Sequence, residues 1–178
     1  MAQNARIFKA ELAITDMVRH HYQTYNLTIA QHPSENDARM MLRLLAFALN
    51  ASETLEFGRG ISTDDEPDLW QKNLHGDVEL WIDLGQVDEK RLRKACNQAE
   101  QVKVYTYQPQ SAEVWWKQNQ NKVQRLDNLS VYALSDEVVS ALEAMTKRSM
   151  RLQITIDEDS CWLGDGEQTL NVELARWK

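Results

Sequence analysis

The sequence predicts an α/β fold: a mixed β-sheet flanked by helices, with an extra N-terminal hairpin and a C-terminal β-meander. Three observations predict it. The N-terminal segment alternates with the two-residue period of strands, the middle alternates strand-like with helix-like segments, and the C-terminal segment returns to short alternating runs.

Taking the elements in order, Ile7, Lys9, Glu11 and Ala13 alternate with Phe8, Ala10, Leu12 and Ile14, and residues 22–29 form a second β-prone run. His32-Pro33 stops that run, because proline restricts the backbone before it. Ser34 is then expected to cap a helix, with Glu35 in the first turn, where a negative charge meets the positive end of the helix dipole. Over residues 40–49 apolar side chains cover all but a narrow stripe containing Arg39 and Arg43, so most of this helix should be buried. A short strand around Phe57, an acidic turn (Asp64-Asp65-Glu66-Pro67-Asp68) and a short helical piece around Trp70 follow. Residues 78–84 read as a central strand, 88–101 as helix, 102–107 as strand, 111–121 as helix, 129–134 as strand and 136–148 as helix. The terminal meander takes 152–156, 161–163 and 169–174. No repeat and no Ser/Pro/Gly-rich linker divides the chain, and 178 residues suffice for one core, so a single domain over 1–178 is expected.

Composition narrows the function classes. With 27 acidic against 20 basic residues, a net charge of -7, the chain lacks the basic footprint of a protein that coats nucleic acid. Any nucleic-acid binding should be weak and salt-sensitive, through local clusters such as Lys90, Arg91, Arg93 and Lys94. Cys96 and Cys161 are far apart and in no Cys-x-x-Cys pattern, so reduced thiols and a cytoplasmic location are expected. The N-terminus shows no leader pattern. The most apolar stretch, 40–49, is interrupted by Arg43 and too short to span a bilayer, so no membrane is expected as a partner.

The strand at 78–84 carries the chemistry. Its alternation sets Glu79, Trp81 and Asp83 on one face and Val78, Leu80, Ile82 and Leu84 on the other. Carboxylates on a central strand are costly unless a cation compensates them. Mg²⁺ or Mn²⁺ with hard oxygen ligands is one such compensation. A solvated face, or pairing with an arginine such as Arg39 or Arg43, is the other. Pro67-Asp68 upstream and Asp83-Leu84-Gly85 downstream form an imperfect Pro-Asp…(Asp/Glu)-x-Lys pattern, the signature of a large nuclease-like superfamily. In that chemistry two acids hold Mg²⁺ and the lysine stabilises charge or orients water; here Gly85 stands in the lysine position. On the following helix Gln98 and Arg91 border the apolar stripe, whereas Lys90 and Lys94 lie opposite it, which favours Gln98 or Arg91 as a substitute.

His32-Pro33-Ser34-Glu35, Arg39-Met40-Met41-Leu42-Arg43, Asp65-Glu66-Pro67-Asp68-Leu69-Trp70, Trp81-Ile82-Asp83-Leu84-Gly85 and Ala112-Glu113-Val114-Trp115-Trp116 together resemble the bacterial YaeQ family, essentially end to end. The resemblance implies a variant restriction-endonuclease-like core in a small cytoplasmic bacterial protein. It matches Glu79 and Asp83 to acids of the family and Glu35 to its His-Pro-Ser-Glu segment; Glu35 resembles the acid that many nuclease-like folds place on their first core helix.

Other motifs carry less. His20, His21, His32 and His75 lack metal-type spacing. Gly58-Arg59-Gly60 has Thr63 where a dinucleotide loop has its third glycine. Trp115-Trp116 fits core packing better than a base-stacking platform.

Two functions follow. The first is a nuclease-like protein with a Mg²⁺ or Mn²⁺ pocket built from Glu79 and Asp83, with Glu35 and Asp68 as outer ligands and Gln98 in support, for metal-assisted phosphodiester hydrolysis. The alternative is a catalytically inactive nuclease fold that binds a protein or nucleic-acid partner in a regulatory role. The change Glu79→Gln with Asp83→Asn separates them. A metal pocket loses its calorimetric Mn²⁺ signal while the metal-free fold stays as stable or gains, whereas loss of arginine pairing costs roughly 1–3 kcal/mol.

Overall fold

The computed structural model describes residues 4–59 and 65–178, so Gly60, Thr63 and Asp64 of the segments above lie outside the described residues. Its elements are β1 (Arg6–Asp16), β2 (His21–Gln31), α1 (Asp37–Asn50), β3 (Leu55–Phe57), β4 (Leu69–Lys72), β5 (Val78–Leu84), α2 (Glu89–Gln98), β6 (Ala99–Thr106), α3 (Pro109–Asn119), β7 (Leu129–Leu134), α4 (Asp136–Ala144), β8 (Ser149–Ile156), β9 (Cys161–Gly164), β10 (Thr169–Asn171) and β11 (Leu174–Arg176). The contacts divide into two compact units, neither continuous in sequence: one takes the chain up to Ala51 with Glu137–Glu173, the other Ser52–Asp136 with Leu174–Lys178.

In the first unit the hairpin and the meander are one sheet, ordered β10-β9-β8-β1-β2. β1 pairs antiparallel with β2 from Arg6↔Gln31 to Asp16↔His21, and parallel with β8 from Lys9↔Ser149 to Asp16↔Ile156. The expected alternation holds: Phe8, Ala10, Leu12 and Ile14 are buried, and Lys9 and Glu11 are exposed. Asp16 locks the hairpin turn by accepting the N–H groups of Val18 and Arg19 and the Arg19 Nε–H at 2.7 Å. Burial alone would raise its pKa, but those hydrogen bonds and the Arg19 charge hold the carboxyl below the ordinary range.

The first helix starts later than the sequence suggests. Asn36, not Ser34, is the N-cap, accepting the Arg39 N–H at 2.9 Å. Ser34 is engaged in the preceding turn, its hydroxyl on the His32 ring and the Glu35 N–H on the His32 carbonyl. Glu35 therefore precedes α1 instead of sitting in its first turn. The burial of α1 is as expected, with Leu44 and Leu45 at 2% and 1% exposure.

The second unit is a six-stranded sheet ordered β11-β7-β6-β5-β4-β3. β5, β6 and β7 are parallel, with α2 and α3 as the crossovers, while β3 and β4 return antiparallel on one side. Leu92, Ala95, Val102, Val104, Trp115 and Val131 belong to its core. Two expectations change here. Trp70 lies on a strand, since four residues are too few for period to separate strand from helix, and Trp70 sits opposite Trp81 in the β4–β5 hairpin. The terminal meander ends at β10, and β11 crosses to pair with β7 in the other sheet. The expected single sheet is thus two mixed sheets flanked by four helices. Ile82 and Leu84 are buried as expected, but the opposite face of β5 is closed as well, with Trp81 and Asp83 at 2% and 4% exposure.

Replacing Leu44 or Leu45 by Ala is expected to cost about 2–5 kcal/mol, read from the urea midpoint at unchanged slope.

Candidate functional site

Leu69 faces Ile82 across β4 and β5, and Asp68, the residue just before β4, reaches the backbone beside Asp83 at the end of β5. Both carboxylates are buried. Two desolvated acids must each be met by donors. Asp68 Oδ2 accepts the backbone N–H of Leu84 at 2.9 Å. Asp83 is held by a side-chain fork: Arg91 Nε donates to Oδ2 at 2.9 Å and Nη2 to Oδ1 at 3.2 Å, while the Trp81 indole N–H reaches Oδ2 at 2.9 Å. Arg91 Nη2 also donates to the carbonyl of Glu66, so one guanidinium ties the acid to the chain just before Pro67.

Local sequence delivers Arg91 to that point. Gly85 turns the chain out of β5 at φ +97°, a conformation that strongly favours glycine. The Gln86 amide donates to the Tyr107 carbonyl at 2.6 Å, and the Val87 carbonyl accepts from the Trp115 indole. Asp88 then caps α2 through the Arg91 N–H at 2.9 Å. Arg91 thus lies in the first turn of α2, directly after the end of β5, with its guanidinium 5.6 Å from the Trp81 ring. Gly85 occupies the position a lysine would take, and a lysine in that left-handed geometry would be strained, although a Cβ there meets nothing nearer than 3.9 Å. Gly58 is needed for a different reason: a Cβ there would lie 1.9 Å from the Pro67 carbonyl oxygen, so the chain past β3 can approach Pro67-Asp68 this closely only with glycine.

This donor set does not fit a divalent ion. Both oxygens of Asp83 already accept from a cation, one oxygen of Asp68 accepts from the backbone, and no three His, Cys, Asp or Glu side chains among the described residues are grouped to hold a metal. The other residues singled out by the sequence lie elsewhere. Glu79 is four residues from Asp83 on β5, about 13 Å along an extended chain, with Trp81 between them. It is half-buried and accepts from the Gln71 amide at 3.3 Å. Gln98 is exposed at the last residue of α2, roughly 10 Å of helix beyond Arg91, and the next residue, Ala99, pairs with Val78 at the far end of β5. The structure therefore gathers Asp68, Asp83 and Arg91 and separates them from Glu79 and Gln98. Glu35 belongs to the first unit, where Arg43 and Arg39 pair with its two oxygens at 2.5 and 3.1 Å. The arginines suggested as partners for Asp83 serve Glu35 instead. Neither thiol is poised as a nucleophile, since burial pushes Cys96 up to about 11 and Cys161 up to about 12.

Comparison with known proteins identifies the family. The YaeQ family model matches residues 1–174. The chain belongs to the YaeQ family. It is 45% identical to the uncharacterized YaeQ protein of Escherichia coli K12 over all of this chain and 98% of that one, and 43% identical to that of Salmonella typhi over the same shares. The crystal structure of the YaeQ protein from Xanthomonas axonopodis pv. citri superposes with a TM-score of 0.94 at 45% identity, covering 98% of both chains. That from Pseudomonas syringae does so at 0.93 and 34% identity, covering 98% and 96%. The YaeQ fold is thus the architecture described above. No helix among the described residues is long and apolar enough to cross a membrane.

The signal for Arg91 was present in the sequence, in Asp88 three residues before it and in its place beside the apolar stripe. The partner was not, because pairing with Asp83 depends on the turn at Gly85. Arg91→Met is expected to destabilise the protein by about 2–3 kcal/mol, less than for a fully buried pair because Arg91 is 26% exposed. Combining it with Asp83→Asn should cost less than the sum of the two single changes in a urea-melt double-mutant cycle.

Proposed function

We propose that this YaeQ chain is a catalytically idle, nuclease-like protein that binds a nucleic-acid partner in a regulatory role, in the cytoplasm. One observation carries the reading: the Arg91 fork on Asp83. It puts a fixed positive charge where hydrolysis by this acid pair would need an exchangeable metal ion, and a glycine stands in the lysine position. An acid already paired with a cation of its own chain supports structure, not turnover.

The binding half of the proposal rests on charge. Lys90, Arg93, Lys94, Lys122 and Arg125 are exposed, and Arg93 Nη2 donates to the Lys122 carbonyl at 2.6 Å, which joins α2 to the segment after α3. Glu89 and Asp65 each engage one of these cations. A patch so diluted, on a chain of net charge -7, supports weak binding through phosphates, without base readout.

A second reading keeps the metal: Asp68 accepts the amide of Leu84, the residue after Asp83, and Mg²⁺ or Mn²⁺ would bind the two acids if Arg91 swung away. One experiment separates the two. Short DNA and RNA duplexes are titrated with the protein at two salt concentrations, with and without Mn²⁺, and strand integrity is checked on gels. The expected result is uncut nucleic acid, binding that weakens as salt rises, and loss of binding in Arg93→Glu with Lys122→Glu. Cleavage with Mn²⁺ that Asp83→Asn abolishes would establish the metal reading instead. No binding at low salt would leave a protein partner.

A further inference from the structure

Three of the four edges of the two sheets are three residues long: β10, β3 and β11. The fourth, β2, is eleven residues long and pairs with β1 without a bulge. Exposed edges are usually blunted by shortness, charge, proline or a bulge, because their free N–H and C=O groups template further pairing. Among the described residues β2 has none of these protections. Six of its residues are exposed, and no Lys, Arg, Asp, Glu or Pro occurs from 21 to 31. Its inner face is fixed in place: Tyr25 meets Phe47 edge-on at 5.2 Å and accepts or donates a hydrogen bond to His21, and Ile29 and Gln31 are buried.

The direction of its free groups can be read from its neighbours. The Lys9 N–H donates to the Arg148 carbonyl, so Lys9 faces β8, and its partner Thr28 points away from β1. The Ala30 carbonyl, two residues on, accepts from Arg43 Nη2, which confirms the same alternation. Tyr22, Thr24, Asn26 and Thr28 therefore present their backbone groups outward, and the run ends where Arg43 has taken the Ala30 carbonyl.

We propose that β2 is a docking edge for a second copy of this chain, joined by antiparallel pairing of residues 22–28 about a two-fold axis at Tyr25. The register is self-complementary. Tyr22 meets Thr28 and Thr24 meets Asn26 of the other copy, giving four hydrogen-bonded pairs and about eight bonds with no outward group of residues 22–28 left over. The solvent-face pairs are aromatic with β-branched and hydroxyl with amide, both favourable across strands. The self-complementary register argues for this occupant, and charge permits it. Two copies of a chain carrying -7 can approach edge to edge where that edge is neutral, so that no like charges stand opposite one another.

Sedimentation equilibrium of the full chain over a concentration series, with amide hydrogen exchange, tests this. The expected result is a monomer–dimer equilibrium in which the amides of Tyr22, Thr24, Asn26 and Thr28 slow as concentration rises. Those of Gln23, Tyr25 and Leu27, already bonded to β1, do not change. Thr24→Lys and Asn26→Pro should each weaken association by roughly tenfold or more, while Gln153→Lys, on β8, leaves it unchanged. Circular dichroism confirms that the variants are folded, and if the proline variant is not, the lysine variant decides. A chain that stays monomeric overturns the proposal, including one whose four outward amides are protected only by an added neutral β-prone peptide. So does a dimer that is indifferent to Thr24→Lys, or whose new protection falls elsewhere.

Discussion

Burying Asp83 at the end of β5 and Asp68 just before β4 is the constraint around which the second unit is arranged. Desolvation of two adjacent carboxylates costs several kcal/mol unless each is hydrogen-bonded and the charge is offset. The Leu84 amide and the Arg91 fork supply this, and they can do so only because the chain turns sharply at Gly85 and starts α2 at once, with Asp88 as its cap. The crossover from β5 to β6 is thus tied to the electrostatics of the strand ends, and Glu66 is drawn into the same arrangement through its carbonyl.

The first unit solves the same problem with different parts. Glu35, buried before α1, is met by Arg39 and Arg43 from that helix, and Asp16 by Arg19 and the turn amides. Each buried acid of this unit has an arginine within a short stretch of chain. The guanidinium suits this role because it offers several planar donors and, being more weakly hydrated than an ammonium, is buried at lower cost. In this YaeQ chain Asp16, Glu35 and Asp83 are thus each paired with an arginine of the same chain.

That arrangement bears on the meaning of the acid-bearing strand. The same residues that resemble a nuclease motif in sequence form, in three dimensions, an arginine-paired Asp83 and a backbone-bonded Asp68, with a glycine turn in the lysine position. Side-chain spacing along one strand could not reveal this. Glu79 and Asp83 share a face but not a place, since Trp81 stands between them and packs edge-on against Trp70 at 6.2 Å.

Local pattern was enough to read the hairpin, the buried α1, the β5–α2–β6 crossover and the burial of Ile82 and Leu84, because each rests on periods of two or 3.6 within a few residues. It also showed the family, through motifs spread over the whole chain. Short elements escaped it: β4 is too brief for its period to show, and Asn36 displaced Ser34 as cap because the His32 ring had already engaged Ser34. What only tertiary structure decided are the long-range pairings. β1 lies beside β8, β11 crosses to β7, and Arg91 meets Asp83 while Arg43 meets Glu35. Each choice among several strands or arginines of similar chemistry turns on which backbone edges and charges the folded chain brings within hydrogen-bond reach, and no single segment of the sequence contains that distance.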